Sequence, residues 1–410
     1  MGNSNSRPSI KPAVVAVAYD RPAALARLLG SLSRAIVPPD VDLVISIDGG
    51  GDGAVVEAAE EFDWRFGEKT IRRHSANLGL KKHIISCGDL TEKYGSIILL
   101  EDDLYVSPYF YSYTTTAQNF YSDQPKVAGV SLYSHQFNES ARLPFVPVDD
   151  DSDVYFMQIA ASCGQSWTWQ QWAPFRRWFT SENDERFDQP GIPRNVRAWA
   201  AHSSWKKYFI KYLVERGMYF VYPRVGLTTN FGDTGTNYGY RTTNYQSPVL
   251  AYKRSFRFSN FADSPAKYDA WCEIAPETLS AANSKLENMQ FCVDLFGDKD
   301  PSEIDEPFIL TRRPCGHPIA AFGFEMKPPE ANVLFDVPGV ELGLYRTASV
   351  RKGGRRNLAQ KRREQVYFYH DTSLTKLAGY VLASAAEKWP NIMIKLRLFL
   401  HRVTRQQFRR

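Results

Sequence analysis

The sequence lacks the features of several protein classes. Its five cysteines are widely spaced and form no CxxC pair, which argues against structural zinc and a disulfide framework and favours a reducing compartment. No apolar run approaches the ~20 residues that a membrane-spanning helix needs. The N-terminus has no charged-then-apolar signal pattern. We therefore expect a cytoplasmic protein.

Glycine-rich phosphate loops are also absent. Neither GxGxxG nor GxxxxGK[ST] follows the first predicted strand, which disfavours a dinucleotide-binding Rossmann domain and a P-loop NTPase. A nucleotidyltransferase would carry a glycine-rich loop with a basic residue at this point, where this chain has Asp20-Arg21-Pro22. Without such a loop, a metal ion is the natural partner for a diphosphate.

Length and composition are those of a folded protein. The 410 residues allow two or three domains at ~150 residues each. Hydrophobic residues make up 43% and charged residues 23% of the chain, both ordinary values for a globular protein. Residues 1–11 are polar, and we expect them to be disordered.

The net charge of +5 is concentrated near the C-terminus, where residues 351–363 read RKGGRRNLAQKRR. The segment from residue 391 onward would form a helix with an apolar stripe and a basic face. Such a helix can lie on an anionic membrane, while an ordinary surface helix explains the same pattern. The basic run comes with no recognisable nucleic-acid module, so we expect no nucleic-acid partner.

Strand and helix patterns alternate from residue 12 onward. Leu25, Leu28, Leu29 and Leu32 mark one helix, for which Asp20 is a candidate N-cap and Pro22 a first-turn residue. A second helix is predicted over 80–94, with Gly95 as its C-cap. Short apolar runs predict strands over 14–19, 43–47, 70–72, 96–100 and 127–132. This order predicts an α/β fold, a mostly parallel sheet with helices on both faces, followed by a less regular C-terminal region.

One of these strands ends in three consecutive acids, Glu101, Asp102 and Asp103. Another ends at Asp48, and Asp20 follows the first strand. The carboxyl ends of parallel strands meet at one edge of the sheet, where ligands bind in open α/β folds. Adjacent carboxylates repel unless a cation or hydrogen bonds offset their charge. Mg²⁺ or Mn²⁺ bridged to a diphosphate would do so, although a polar strand-to-loop exit explains the same pattern.

Two later segments stand out. Residues 162–172 contain three tryptophans, and residues 228–239 are rich in Gly, Asn and Asp, which marks an irregular loop. Functional loops of this type lie over a scaffold. Trp167 and Trp172 are equally explained as core residues.

These segments, in this order, resemble the bacterial glycosyltransferase family 2 enzymes and, more distantly, the eukaryotic N-acetylglucosaminyltransferase I. The resemblance covers roughly residues 12–245. The matching pieces are AYDRP at 18–22, IDG at 47–49, NLGLKK at 77–82, LEDDL at 100–104 with SPYF at 107–110, the Trp-rich segment from 164 to 172, and the glycine loop from 231 to 239.

The resemblance implies a nucleotide-diphospho-sugar transferase (GT-A) fold and inverting transfer. By position, Asp103 would coordinate Mn²⁺ or Mg²⁺ at the donor diphosphate, and Glu101 and Asp102 would hold the ribose and the sugar. Asp48 would contact the nucleobase. The residues that would line the nucleotide and phosphates are Asp20, Arg21 and Lys82.

The chain departs from the family pattern at the catalytic base. An acid normally lies beside a Trp shortly before the glycine loop, and residues 202–207 read HSSWKK here. Asp233 is the nearest acid in a matching loop and is our candidate for the base. Further candidates are Asp184, Glu185 and Asp188. A His common in the glycine loop is replaced by Asn237.

The expected organisation is a disordered N-terminus (1–11), a GT-A glycosyltransferase domain (12–245), an accessory region (246–345) and a basic linker with an amphipathic helix (346–410). The expected function is metal-dependent, inverting transfer of a sugar from a nucleotide-diphospho-sugar to a glycan or lipid-linked acceptor, in surface polysaccharide synthesis. The enzyme would be cytoplasmic and peripheral on the inner face of the membrane. The alternatives are a non-catalytic sugar-nucleotide-binding protein and a nucleotidyltransferase.

Overall fold

The computed structural model describes residues 10–181, 187, 189–234, 245–253, 255–313, 315–350, 363–364 and 366–369. The chain divides into two compact units, residues 1–233 with 241–354 and residues 234–240 with 355–410. Several predicted features lie outside the described residues: positions 1–9, the basic run at 351–362, the helix from 391, and Asp184, Glu185, Asp188 and Asn237. The predicted domain boundaries stay predictions.

The helices of the first unit are short to medium in length. They are α1 (Pro22–Ser33), α2 (Gly53–Glu61), α3 (Leu80–Gly88), α4 (Thr91–Tyr94), α5 (Phe110–Tyr121), α6 (Trp169–Ser181), α7 (Arg194–Ala198), α8 (Trp205–Arg216), α9 (Pro276–Ala282) and α10 (Ala331–Leu334). Within the described residues, no helix is both long and apolar enough to cross a membrane.

The strands of this unit form two main sheets and two small ribbons. They are β1 (Ala13–Ala18), β2 (Leu43–Ile47), β3 (Lys69–Arg73), β4 (Ser96–Glu101), β5 (Leu104–Val106), β6 (Val127–Ser131), β7 (Phe137–Asn138), β8 (Leu143–Pro144), β9 (Val154–Met157), β10 (Gln165–Thr168), β11 (Tyr219–Pro223), β12 (Thr228–Asn230), β13 (Lys267–Tyr268), β14 (Phe291–Asp294), β15 (Phe308–Thr311), β16 (Ala320–Phe322) and β17 (Leu342–Arg346).

The central sheet has nine strands in the order β13-β9-β11-β6-β10-β4-β1-β2-β3. Strands β1, β2, β3 and β4 are parallel, and β10 runs antiparallel to both β4 and β6. Strands β6 and β11 therefore run in the same direction as β1, whereas β9 and β13 run with β10. Six of the nine strands share one direction, so the prediction of a mostly parallel sheet is confirmed.

Helices cover both faces of this sheet. On one face, Gln118 of α5 hydrogen-bonds to Ser96 of β4 and Ser166 of β10. Trp167, the next residue of β10, points to the opposite face because side chains alternate along a strand. There its ring lies 4.9 Å from that of Trp172 in α6 and 5.8 Å from that of Phe209 in α8. Both tryptophans are fully buried, which confirms their interpretation as core residues.

Two local predictions need correction. Asp20 does not cap α1: the N-cap is Arg21, without a side-chain cap, and Pro22 occupies the first turn as predicted. The helix predicted over 80–94 is split into α3 and α4 at Asp89, whose carboxylate accepts a hydrogen bond from Trp172 Nε1 at 2.9 Å. Gly95 ends α4 with φ of 73°, as its predicted C-cap role requires.

The region after residue 250 is less regular, as predicted. Strand β13 extends the edge of the central sheet, and a four-stranded mixed sheet follows in the order β14-β15-β17-β16. Between these elements the chain buries several charged side chains, among them Glu330, which accepts a hydrogen bond from Tyr268 Oη at 2.6 Å.

Candidate functional site

The acidic strand ends gather at one edge of the central sheet, as the sequence predicts. Strand β1 pairs with β4 so that Val17 lies beside Glu101, and with β2 so that Ala18 lies beside Ile47. The loops that begin after Ala18, Ile47 and Glu101 therefore leave the sheet side by side. This edge is where ligands bind in open α/β folds.

Arg21 joins the first of these loops to the third. Its Nε and Nη2 atoms donate to the carboxylate of Asp102, and its Nη1 atom donates to Asp103 Oδ2 at 3.2 Å. Arg21 is thus the cation that offsets the repulsion between two of the adjacent acids. The sequence identified all three residues as site residues and did not predict their contact.

Burial raises the pKa of two acids of this run. The pKa of Glu101 is raised well above its ordinary value, first by burial and then by the charges of Asp103 and Asp102. Burial also raises the pKa of Asp102, to about 6, against the lowering effect of Arg21. Both shifts mean that the site holds less negative charge near neutral pH than three ordinary carboxylates would.

Asp48 is buried and fixes the neighbouring loop. Its Oδ1 atom accepts hydrogen bonds from the backbone nitrogens of Gly49 at 2.9 Å and Leu78 at 2.8 Å, and its Oδ2 atom accepts one from Gly79 at 3.1 Å. These bonds attach the NLG segment to the end of β2. The predicted nucleobase contact of Asp48 stays a prediction, and the structure shows a positioning role.

Asp20 and Lys82 lie at this edge, and both are exposed. The charge of Asp20 contributes to the raised pKa of Asp102, so it belongs to the same electrostatic site. Lys82 lies in the first turn of α3, next to Lys81, whose Nζ atom donates to the backbone oxygen of Ala201 at 2.7 Å. The two lysines of the NLGLKK segment therefore differ, because Lys81 is engaged with the segment before α8.

Asp233 lies beside a short ribbon that continues from the acidic run. Strand β12 pairs with β5, and the backbone nitrogen of Phe231 donates to the backbone oxygen of Asp103 at 3.0 Å. Asp233 itself forms an ion pair with Arg27, whose guanidinium lies 4.1 Å from the centroid of the Phe231 ring. A base role for Asp233 would require this carboxylate to leave Arg27.

The structure adds Lys206 and Glu139, which the sequence analysis did not select. Lys206 Nζ lies 3.8 Å from Glu139 Oε1 and 5.3 Å from the centroid of the Trp199 ring, and its charge lowers the pKa of Glu101. The three residues line a small cavity of about 20 Å³, room for about one water molecule. Lys206 falls in the HSSWKK segment, but no local pattern marks Glu139.

The described residues contain no group of three or more His, Cys, Asp or Glu side chains arranged to hold a metal ion. Asp103 is more accessible than Asp102, with its side chain 17% against 5% exposed, and Arg21 contacts only one of its oxygens, so Asp103 can offer a carboxylate oxygen to a cation. A hard divalent cation is commonly held by one or two carboxylates and completed by phosphate oxygens and water. The donor set therefore fits a cation that arrives with a diphosphate.

No family model and no curated protein matches this chain. Among solved structures, it is similar to the mannosyltransferase PcManGT from Pyrobaculum calidifontis in complex with GDP-Man and Mn²⁺, with a TM-score of 0.29 and 10% identity over 40% of this chain and 48% of that chain. It is also similar to S. aureus TarS 1-349, with a TM-score of 0.36 and 11% identity over 53% of this chain and 59% of that chain. TarS 1-349 in complex with UDP gives a TM-score of 0.34 at the same identity and coverage. The matched part spans about half of each of these proteins, and likenesses of this size carry no argument about the present chain.

Proposed function

We propose that the protein is a metal-dependent, inverting glycosyltransferase of the GT-A type. It would move a sugar from a nucleotide-diphospho-sugar to a glycan or lipid-linked acceptor in surface polysaccharide synthesis. The observation that carries this proposal is the pairing of Arg21 with Asp102 and Asp103 at the carboxyl edge of the parallel sheet. That site combines a carboxylate for a hard cation with a guanidinium suited to phosphate oxygens.

The residues of this site have distinct proposed roles. Asp103 would hold Mn²⁺ or Mg²⁺, and Arg21, Asp20 and Lys82 would line the nucleotide and its phosphates. Glu101 and Asp102 would hold the ribose and the sugar. The cation, when bound, supplies positive charge that stabilises a nucleoside diphosphate as a leaving group.

Asp233 is our candidate for the base that takes the proton of the acceptor hydroxyl. The ion pair with Arg27 holds its carboxylate at the end of the β5–β12 ribbon. On binding, the acceptor would have to draw Asp233 away from Arg27 before the proton could be transferred. Holding donor and acceptor in line at the anomeric carbon would provide a further part of the rate enhancement.

A non-catalytic sugar-nucleotide-binding protein is the second candidate, because the carboxylate of Asp233 is already paired with Arg27. Such a protein would share the donor site and lack turnover. A nucleotidyltransferase is the third candidate and lacks the expected glycine-rich loop.

The donor site can be tested by thermal shift with a panel of nucleotide sugars, including GDP-mannose and UDP-sugars, each with and without Mn²⁺. A ligand that binds only the folded protein at 100 times its Kd stabilises it by about 2.7 kcal/mol. We expect one nucleotide sugar to raise the melting temperature only when Mn²⁺ is present. Asp103→Asn should abolish that shift while keeping its own unliganded melting temperature close to that of the wild type. The absence of a shift with every sugar would overturn the proposal.

Membrane contact is tested separately, by sedimentation of the full chain with anionic liposomes. Deletion of residues 391–410 should release the protein into the supernatant and leave the nucleotide-sugar shift unchanged. Equal sedimentation of the two proteins would remove the membrane part of the proposal.

A further inference from the structure

Arg21 divides its donors unequally between two carboxylates. Two of its nitrogens, Nε and Nη2, donate to Asp102, whereas Nη1 alone donates to Asp103. The Asp102 side chain is 5% exposed and that of Asp103 is 17% exposed. The more buried acid therefore holds the guanidinium by two atoms, and the more accessible acid holds it by one.

These two contacts differ in how readily they can be given up. A buried carboxylate that loses its counter-ion is left with an uncompensated charge, which is strongly unfavourable. An ion pair that is partly exposed to water contributes less, because solvent compensates for its loss. The bond from Nη1 to Asp103 is therefore the one that a ligand can replace, while the forked contact with Asp102 keeps Arg21 in place.

We infer that Arg21 is an exchangeable counter-ion that links cation binding to diphosphate binding. This inference rests on the proposed function. A divalent cation taken up by Asp103 would repel the guanidinium, whose Nη1 atom lies 3.2 Å from the same carboxylate. When the cation occupies Asp103, a bound diphosphate offers the Nη1 atom of Arg21 a new hydrogen-bond acceptor. The cation and the diphosphate therefore bind cooperatively, and the arginine is part of the coupling between them.

The inference predicts opposite effects of one substitution on two ligands. In Arg21→Gln, no guanidinium competes for Asp103. Mn²⁺ alone should therefore bind to this variant several-fold more tightly than to the wild type. The same variant loses its phosphate donor, so a nucleoside diphosphate at saturating Mn²⁺ should bind at least tenfold more weakly. Both affinities are measured by titration calorimetry on the full chain, first with Mn²⁺ alone and then with UDP, GDP, CDP and dTDP.

Arg216→Gln is the matched control. Arg216 is an exposed arginine in the last turn of α8, which leads into the start of β11 at the opposite edge of the sheet. Its substitution therefore removes the same unit of charge away from Asp103. Neither affinity should change by more than about twofold in this variant, given the screening of exposed charges by salt. Equal gains in Mn²⁺ affinity in both variants would show that the gain comes only from the lower net positive charge of the protein, and would overturn the inference.

Arg21→Lys covers the case in which Arg21→Gln fails to fold. A single ammonium cannot reproduce the forked contact with Asp102. Arg21→Lys should therefore change the affinities for Mn²⁺ and for the nucleoside diphosphate in the same directions as Arg21→Gln, but by smaller factors. Weaker or unchanged Mn²⁺ binding in a folded Arg21 variant overturns the exchange. Failure of all four nucleotides to bind the wild type with Mn²⁺ overturns the proposed function instead, and the comparison with Mn²⁺ alone still decides the exchange.

Discussion

Asp48 and Leu78, which lie 30 residues apart in the chain, are joined by a hydrogen bond of 2.8 Å from the backbone nitrogen of Leu78 to the Asp48 carboxylate. The same carboxylate accepts from the backbone nitrogens of Gly49 and Gly79. One side chain thus satisfies three backbone donors at the end of β2. It also fixes the approach to α3, the helix that presents Lys82.

Asp48→Asn should destabilise the fold, because an amide offers one acceptor oxygen and turns its own N–H groups towards backbone donors. Leaving a buried donor without a partner costs roughly 1–3 kcal/mol, measurable as a lower urea midpoint. Asp52→Asn is the control: Asp52 caps α2 by accepting from Ala54 nitrogen at 3.0 Å, and Asn caps about as well. Similar losses in the two variants would contradict the role assigned to Asp48.

Gly49→Ala should destabilise the protein by steric conflict. A Cβ at this position would lie 2.4 Å from the backbone carbonyl carbon of Ala76, so the chain itself must shift, at a cost of roughly 1–3 kcal/mol. At Gly53, a Cβ would have no atom within 4 Å. Gly53→Ala, in the first turn of α2, should therefore be neutral or stabilising by up to about 1 kcal/mol. Urea unfolding should therefore show a loss of stability for Gly49→Ala and no loss for Gly53→Ala, and equal losses would refute this explanation.

Glu330 should make the stability depend on pH. Burial raises its pKa from 4.5 to about 7, so between these values the folded protein binds more protons than the unfolded chain. The contribution is fully present below pH 4.5 and is lost as pH rises through 7. Glu330→Gln keeps an acceptor for Tyr268 and removes the titration, so its free energy of unfolding should fall less over this range.

Tyr268→Phe provides the companion measurement. The hydroxyl of Tyr268 donates to Glu330 and lowers the pKa of that carboxyl. Removing it should move the loss of stability to higher pH. Unfolding curves recorded from pH 4 to 9 that have the same shape in wild type and both variants would show that Glu330 does not titrate as argued.

The catalytic base can be assigned by comparing Asp233→Asn with Glu139→Gln, using the nucleotide sugar found in the thermal-shift panel. General acid–base catalysis contributes typically 10²–10⁴-fold, so Asp233→Asn should lower turnover by that range and leave donor affinity nearly unchanged. Glu139 contacts Lys206 rather than Arg27, and Glu139→Gln should lower turnover much less. The opposite ranking would transfer the base role to Glu139.

Much of the fold was predictable because its strands at 13–18, 43–47 and 96–101 are mostly apolar runs that end in an acid or are followed by one within two residues. Such runs identify strands and, with intervening helices, a parallel sheet. Strand β10 was not predictable: its residues Gln165–Thr168 are mostly polar, and its partners are set by contacts across the chain. Short strands of this kind depend on tertiary packing rather than on local propensity.

The acids of the sheet edge were predictable from the sequence, and their contacts were not. Position at a strand end identifies Asp48 and Glu101–Asp103, because strand ends share an edge, whereas Arg21 was expected in the site only from the family resemblance. The acids with which a guanidinium pairs are decided by the positions and burial of the side chains in the folded protein. No periodic pattern in the sequence encodes either property. The pair formed by Lys206 and Glu139 depends on how α8 and the segment after β7 come together, so no local motif marks it.

The position of β10 between β4 and β6 has a consequence for synthesis on the ribosome. Strands β4 and β6 are close in sequence, yet each needs β10 as its neighbour in the sheet. Until residue 168 has emerged, the growing chain carries two strand edges without their partner, and such edges pair with other chains. A nascent chain halted after residue 131 should therefore aggregate, whereas one extended past β10 can join the two halves of the sheet.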